Sequence, residues 1–317
     1  MKLIVTLILA LAPAAWSQQQ ACYLKMKEGT HYAVADFQVS KKACVVSSDQ
    51  RKVEQLRVFR SAQVEYALAV DQYSLQTYII AASCLTVCQD SAEPNRYANL
   101  VNTSTAAPYL AENDGLATDQ GSSANYLTID LCPSSKPYDK SFFQYLATVY
   151  KDRKFPIAVS ISGGWMEHHQ DELNQLIDLQ VQNKLDITWV NHTRHHPYTP
   201  GLANQHNFLL RTDVNSTEEI LQQEIFMLSN GLLPSIFLRY PGLISDQHLV
   251  ETTKSLGLVP LGSQAWIAKT RKFSAGDILL VHGNGNETVG ISIFYHLVEN
   301  NKILNSTWRS LLSWGAR

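Results

Sequence analysis

The chain has 317 residues, 45 % hydrophobic and 17 % charged, enough for one large domain or one large and one small. Twenty-six Lys and Arg against 28 Asp and Glu leave a formal charge of −2. No basic tract interleaves with aromatics, which argues against a nucleic-acid partner.

Taken in chain order, residues 1–17 read as a signal peptide. Lys2 gives the positive start, Leu3 to Leu11 the apolar core, and Ala15-Trp16-Ser17 a small-x-small cleavage site before Gln18. That run is too short to span a bilayer, and no later segment reaches about 18 apolar residues. The expectation is an exported product, periplasmic or secreted, with no transmembrane segment. Cys22, Cys44, Cys84 and Cys88 lie in the first third and fit an oxidising compartment, with Cys132 apart from them. Four cysteines allow three pairings, and all three stay open.

From residue 18 to 90 the pattern has period two. Ala33, Ala35, Phe37 and Val39 share one face, as do Val64, Tyr66, Leu68 and Val70. This predicts a small antiparallel β unit stapled by disulfides, although "DQRKVEQL" (Asp49–Leu56) fits a helix equally well. Residues 91–122 are polar, with Gly, Pro, Asn and Ser throughout, and read as a linker or a long surface loop.

Residues 123–317 change rhythm to strand–helix–strand. "YLTIDL", "FPIAVSIS", "DITWVN", "PSIFLRY", "LVPLGS" and "GDILLVHG" read as buried strands, and amphipathic stretches alternate with most of them. Such alternation predicts a parallel sheet. No helix-flanked GxGxxG or P-loop follows the first strand, so closure into a βα barrel is the natural arrangement. Asp130, His192, Arg239 and His282 all fall where strands end, on the mouth where barrels build their sites.

Within "ITWVNHTRHHPYTP" (Ile187–Pro200), three of the ten histidines fall in five residues. If "TRHHPY" begins a turn or short helix, His192 and His196 can face one centre and bind a divalent metal. A polar turn with one satisfied histidine is the plainer reading.

The motifs then line up in order. "HTRHHP" fits H-[ST]-x-x-H-P, "TIDLCP" (Thr128–Pro133) resembles T-F-D-D-G-P, and "RYPG" (Arg239–Gly242) resembles R-x-P and a small or aromatic residue. "SQAW", ending at Ala265-Trp266, is similar to a motif ending Asp-Trp, and "LVH" (Leu280–His282) to L-x-H. The ordered set, covering nearly two thirds of the sequence, resembles the NodB-type polysaccharide deacetylases (carbohydrate esterase family 4). The resemblance implies a distorted (β/α)7 barrel over residues 123–317, preceded by the small disulfide-containing β-rich region. It implies hydrolysis of acetamide groups on an N-acetylated glycan, with a peptidoglycan-type amino sugar favoured by the exported address. It also implies Zn2+, or another divalent metal such as Co2+ or Ni2+, on His192 and His196. Asp130 would be the general base, Arg239 its orienting cation and His282 the general acid. The backbone N–H near Gly242 would help stabilise the oxyanion.

Two positions depart from the pattern. Leu131 stands where the family has its usual third metal ligand, so Asp139 is the first substitute, His206 the second and Asp130 itself the third. Ala265 stands where the family has the carboxylate that pairs with the acid histidine. Cys132 replaces a glycine, and a thiolate ligand there is conceivable. Trp165 and Trp266, with Tyr240 and Gly242, are candidate substrate contacts, and core packing is an equal reading for the two tryptophans. His168 and His169 fit a solvated first helical turn, His195 a bystander, and "GNGNE" (Gly283–Glu287) a rim loop or plain turn. Losing a ligand and the acid's partner also fits a relative that binds glycan without cleaving it. An O-acetyl esterase or another amide hydrolase on the same fold is a further alternative.

Overall fold

A computed structural model describes residues 22–24, 32–90, 93–150, 152–270, 272–299 and 307–316. The signal-peptide reading lies outside them. The chain opens with five antiparallel strands: β1 (Ala35–Val46), β2 (Lys52–Ser61), β3 (Val64–Asp71), β4 (Thr77–Ala81) and β5 (Leu85–Gln89), ordered β4-β3-β2-β1-β5. The segment that fitted a helix equally well contributes to β2, because β1 and β3 pair along both its sides. Val53, Ala69 and Ile80 form a small cluster with Cys22 and Cys44. The disulfides there are Cys22–Cys84 and Cys44–Cys88, and Cys132 is free.

The large unit is built from β6 (Ala124–Leu131), β7 (Phe155–Ile161), β8 (Leu185–Asn191), β9 (Phe237–Leu238), β10 (Val259–Pro260), β11 (Ala265–Trp266) and β12 (Ile278–His282). They run parallel in the order β10-β9-β8-β7-β6-β12-β11, a curled sheet that fits a distorted (β/α)7 barrel. A short β13 (Thr307–Trp308) pairs with the start of β6. The helices are α1 (Arg96–Ser104), α2 (Lys140–Val149), α3 (Gly163–His168), α4 (Gln170–Val181), α5 (Ser216–Ser229), α6 (Gln247–Ser255) and α7 (Thr288–Glu299).

Period-two alternation splits β6 cleanly. Leu127, Ile129 and Leu131 enter a cluster with Phe142, Phe143 and Leu146 of α2, while Tyr126 enters the second cluster, with Phe237 and Val259. Both faces of the strand are buried, as expected for a parallel sheet.

Within the stretch read as a linker or a long surface loop, residues 93–122 carry a helix and pack on the barrel. Asn95 caps α1 by accepting from the Ala98 N–H, and Tyr97, Leu100 and Val101 bury one face of the helix. The Tyr97 hydroxyl donates to Gly257 O at 2.7 Å. The segment then bonds the end strand through Leu116 N–H to Pro260 O, at 2.9 Å, and accepts at Ala117 O from Ile278 N–H, also at 2.9 Å. It therefore runs from β10 to the start of β12 as an integral wall of the barrel. The apolar residues that dock the helix are few in an otherwise polar stretch.

The N-terminal sheet is fixed to the barrel by a buried bidentate pair, Arg57 Nε to Glu224 Oε2 at 2.7 Å and Nη2 to Oε1 at 2.9 Å. Among the described residues no helix is long and apolar enough to cross a membrane.

Candidate active site

The sheet register brings the strand-end residues together. His282 of β12 lies beside Asp130 of β6, Asp130 beside Ser160 of β7, and Asn191 of β8 beside Leu238 of β9. His192 and Arg239 directly follow β8 and β9. Asp130, His192, His196 and His282 all line a cavity of about 690 Å³, together with Trp266 and Gly242.

Asp130 Oδ2 lies 3.7 Å from Arg239 Nη1 and 3.9 Å from His192 Nε2. Arg239 is fully buried, and its Nη2 donates to Thr128 Oγ1 at 3.0 Å. Burial pulls the guanidinium below its ordinary pKa, opposed by the charges of Asp130 and Cys132. Asp130 Oδ1 and Arg239 Nε and Nη1 are buried without hydrogen-bond partners, although Nη1 keeps its ion pair with Asp130 Oδ2.

His192 Nδ1 contacts Arg239 O at 2.8 Å. A carbonyl can only accept, so Nδ1 carries a proton, and in the neutral ring Nε2 then keeps its lone pair. That is the tautomer a metal ligand needs, set by an outer hydrogen bond. Ring centroids of His192 and His196 are 4.7 Å apart, and His196 Nε2 is buried without a partner. Among the described residues, Cys132, His192 and His196 form a group whose ligand atoms all lie within 4.8 Å of one another. The donor set fits a divalent ion.

The turn that carries the histidines is strained. Thr193 and His196 have φ of 68° and 51°, left-handed values that cost non-glycine residues about 1–3 kcal/mol each. Docking holds the turn in place. Gly163 and Gly164 N–H donate to Thr193 O and Arg194 O, and a Cβ on Gly163 would lie 2.5 Å from Arg194 O. Arg194 pairs with Glu167 and packs over the Phe226 ring. His195 is drawn outward to Glu219 by a 2.6 Å contact and is largely exposed.

On the opposite wall, His282 Nδ1 lies 2.9 Å from Glu287 Oε2, which also accepts from Trp266 Nε1 at 2.7 Å. Burial lowers the pKa of His282, but hydrogen bonding to Cys132 and Glu287 and nearby negative charge outweigh it and push the ring up to about 10. Burial raises Glu287, yet His282, Trp266 and Lys269 bring its carboxyl below the usual range. Glu287 thus stands spatially where Ala265, buried in the core, offers nothing.

Several expected contacts are placed elsewhere. Asp139, the first choice for a third ligand, accepts from Gly285 N–H at 3.0 Å and instead clamps the loop that carries Glu287. Leu131 is wholly buried under the helices. His206 sits in a short 3-10 turn outside the ligand group. Trp165 is fully buried and stacked on His169 at 4.9 Å, so it offers no face to a sugar. Tyr240 is also buried, its hydroxyl bonded to Thr253 at 2.8 Å. Trp266 and Gly242 do reach the cavity. Gly242 has φ of 66° and a Cβ there would meet Phe208 at 2.6 Å, so both backbone and space require glycine. Tyr198, Phe208, Arg211 and Glu287 were not singled out in the sequence. Only Glu287, five residues after His282 in a glycine-rich turn, offered a signal.

No family model matches the sequence. Among solved structures, the chain is similar to a family 4 carbohydrate esterase from Bacillus anthracis, at 15 % identity over 71 % of this chain and 93 % of that one, with a TM-score of 0.48. It is similar to a family 4 carbohydrate esterase of Bacillus subtilis at 14 % identity, over 68 % and 87 %, with a TM-score of 0.47. A pseudoenzyme of the CE4 family from Bacillus anthracis is similar at 13 % identity, over 61 % and 66 %, with a TM-score of 0.41. These structures bear the name of the family that the ordered motifs of the sequence resemble.

Proposed function

We propose that the protein is an exported, metal-dependent deacetylase that hydrolyses acetamide groups on an N-acetylated glycan, with a peptidoglycan-type amino sugar as the favoured substrate. One observation carries this reading: Asp130, His192, His196 and His282 line one cavity, with Arg239 beside Asp130 and Glu287 beside His282.

His192 and His196 would hold the ion. When bound, a divalent ion supplies Lewis acidity, easing ionisation of water and stabilising negative charge on the carbonyl oxygen. Asp130 takes the proton as the water oxygen bonds to the acetyl carbon, and Arg239 keeps that carboxylate in place beside the ring of His192. His282, raised to about 10 and therefore protonated near neutrality, gives its proton to the departing nitrogen as the C–N bond breaks. Glu287 holds Nδ1 of that ring, leaving Nε2 as the proton donor. The products are acetate and a free amine. The exposed Tyr198 ring, stacked on Phe208 at 5.2 Å, and Trp266 supply flat apolar walls for pyranose faces.

The test is acetate release from N-acetylglucosamine oligomers and from purified peptidoglycan, with zinc added, beside His192→Ala. Release that the variant lacks supports the reading. Glycan binding without acetate release by the wild type would replace it with a binding-only relative, and release only from O-acetylated glycan with an esterase.

A further inference from the structure

We propose that Cys132 is the third protein ligand of the metal, making the site a thiolate–imidazole–imidazole set of the kind that selects zinc. The inference rests on the metal-dependent reading and goes beyond it. It names the donor that Leu131 cannot supply and assigns the site a soft ligand in place of a carboxylate.

Geometry carries it. Asp130 and Cys132 are two residues apart at the end of β6, so the thiol follows the carboxylate toward the mouth, where both line the same cavity. Cys132 Sγ lies 3.5 Å from His192 Nε2. Zinc–sulfur and zinc–nitrogen bonds of about 2.3 Å and 2.0–2.1 Å at a tetrahedral angle place those two atoms about 3.6 Å apart. The third atom is the buried, unpartnered Nε2 of His196, and all three ligand atoms fall within 4.8 Å of one another. Asn284 Nδ2 donates to Cys132 O at 3.0 Å, fixing the backbone that presents the sulfur. The competing carboxylate of Asp139 is held by Gly285, and Asp130 faces Arg239. Three protein ligands leave one position of a tetrahedral ion open, the pattern of catalytic rather than structural zinc sites. Thiolate also shifts preference away from hard, oxygen-seeking ions such as Mg2+ and Mn2+. A plain S–H···N hydrogen bond between Cys132 and His192 would give a similar distance, so the test must separate the two.

Two measurements on the mature, disulfide-intact protein do so. In the first, cobalt(II) is titrated into chelator-treated wild type, Cys132→Ser and His192→Ala, and the absorption spectrum is recorded. A thiolate-to-cobalt charge-transfer band in the wild type, absent from Cys132→Ser, is expected, with cobalt affinity at least tenfold weaker in that variant. In the second, which needs no variant, the single free thiol reacts with a disulfide reagent before and after zinc is added. Zinc should slow that reaction at least tenfold. Cobalt bound through His192 without a charge-transfer band, and a thiol that zinc leaves equally reactive, would overturn the Cys132 assignment while leaving the metal-dependent reading intact. Failure of wild type to take up cobalt or zinc would overturn both.

Discussion

Replacing Glu287 with Gln tests whether the loop after β12 supplies the partner that Ala265 cannot. The amide keeps an acceptor oxygen for His282 Nδ1 and Trp266 Nε1, which sit 2.9 and 2.7 Å from Glu287 Oε2, and removes only the charge. The His282 and Glu287 side chains are 14 % and 24 % exposed, so solvent does not erase the interaction. A hydrogen bond to a charged group contributes about 1.5–3 kcal/mol and a neutral one about half that. The difference is about one pKa unit for His282. Because the protonated ring is the active form, the alkaline limb of the kcat/KM profile should move down by about that amount from about 10, while the acid limb stays. The stability that goes with the raised pKa is complete below about 6.5 and is lost as pH rises through about 10, and Glu287→Gln should diminish it. General acid–base catalysis is worth about 10²–10⁴-fold in total. At neutral pH the ring stays protonated in Glu287→Gln, so kcat/KM there should change by no more than about twofold, whereas Glu287→Ala, which frees the ring, should lower it about 100-fold and Glu287→Asp should recover part of that loss. A profile for Glu287→Gln that overlays wild type at both limbs would show that Glu287 serves only Trp266, and the orienting role would be withdrawn.

Other expectations follow from single contacts. Arg57→Met leaves Glu224 charged and buried, so urea unfolding should lose about 3–5 kcal/mol, much of it recovered in Arg57→Met/Glu224→Met. Gly242→Ala forces φ of 66° on a residue with a Cβ aimed at Phe208, and should cost about 1–3 kcal/mol in thermal or chemical denaturation. Chelation should abolish acetate release, zinc should restore it, and zinc at about a hundred times its Kd should add about 2.7 kcal/mol to unfolding stability.

What the sequence made legible follows from periodicity. Asp130, His192, Arg239 and His282 could be placed at strand ends because βα alternation marks where strands stop, and register then carries them to one mouth. The remaining site depended on distances that no local pattern encodes. Asp139 had the right chemistry at the right helix start, but a backbone N–H of the neighbouring loop already occupies it. Trp165 and Tyr240 had the right residue type, and only packing reveals that their rings face α-helical neighbours instead of the cavity. Helix α1 was hidden because Tyr97, Leu100 and Val101 are its only buried side chains in an otherwise polar stretch.

The two departures that favoured a binding-only relative each have a counterpart in space. The ligand missing at Leu131 has a donor one residue further on, at Cys132, and the carboxylate missing at Ala265 has one in Glu287. A surface that only held glycan would need the cavity and its aromatic walls. It would gain nothing from burying Arg239 with Nε left without a hydrogen-bond partner, a penalty of about 1–3 kcal/mol. Nor would it gain from left-handed backbone at Thr193 and His196, which adds a comparable strain. These costs fall beside one cavity, together with ionisable groups shifted by burial and by one another. Strain, an unpartnered buried donor and perturbed ionisable groups gathered at a single mouth favour the proposed proton transfer over simple adhesion.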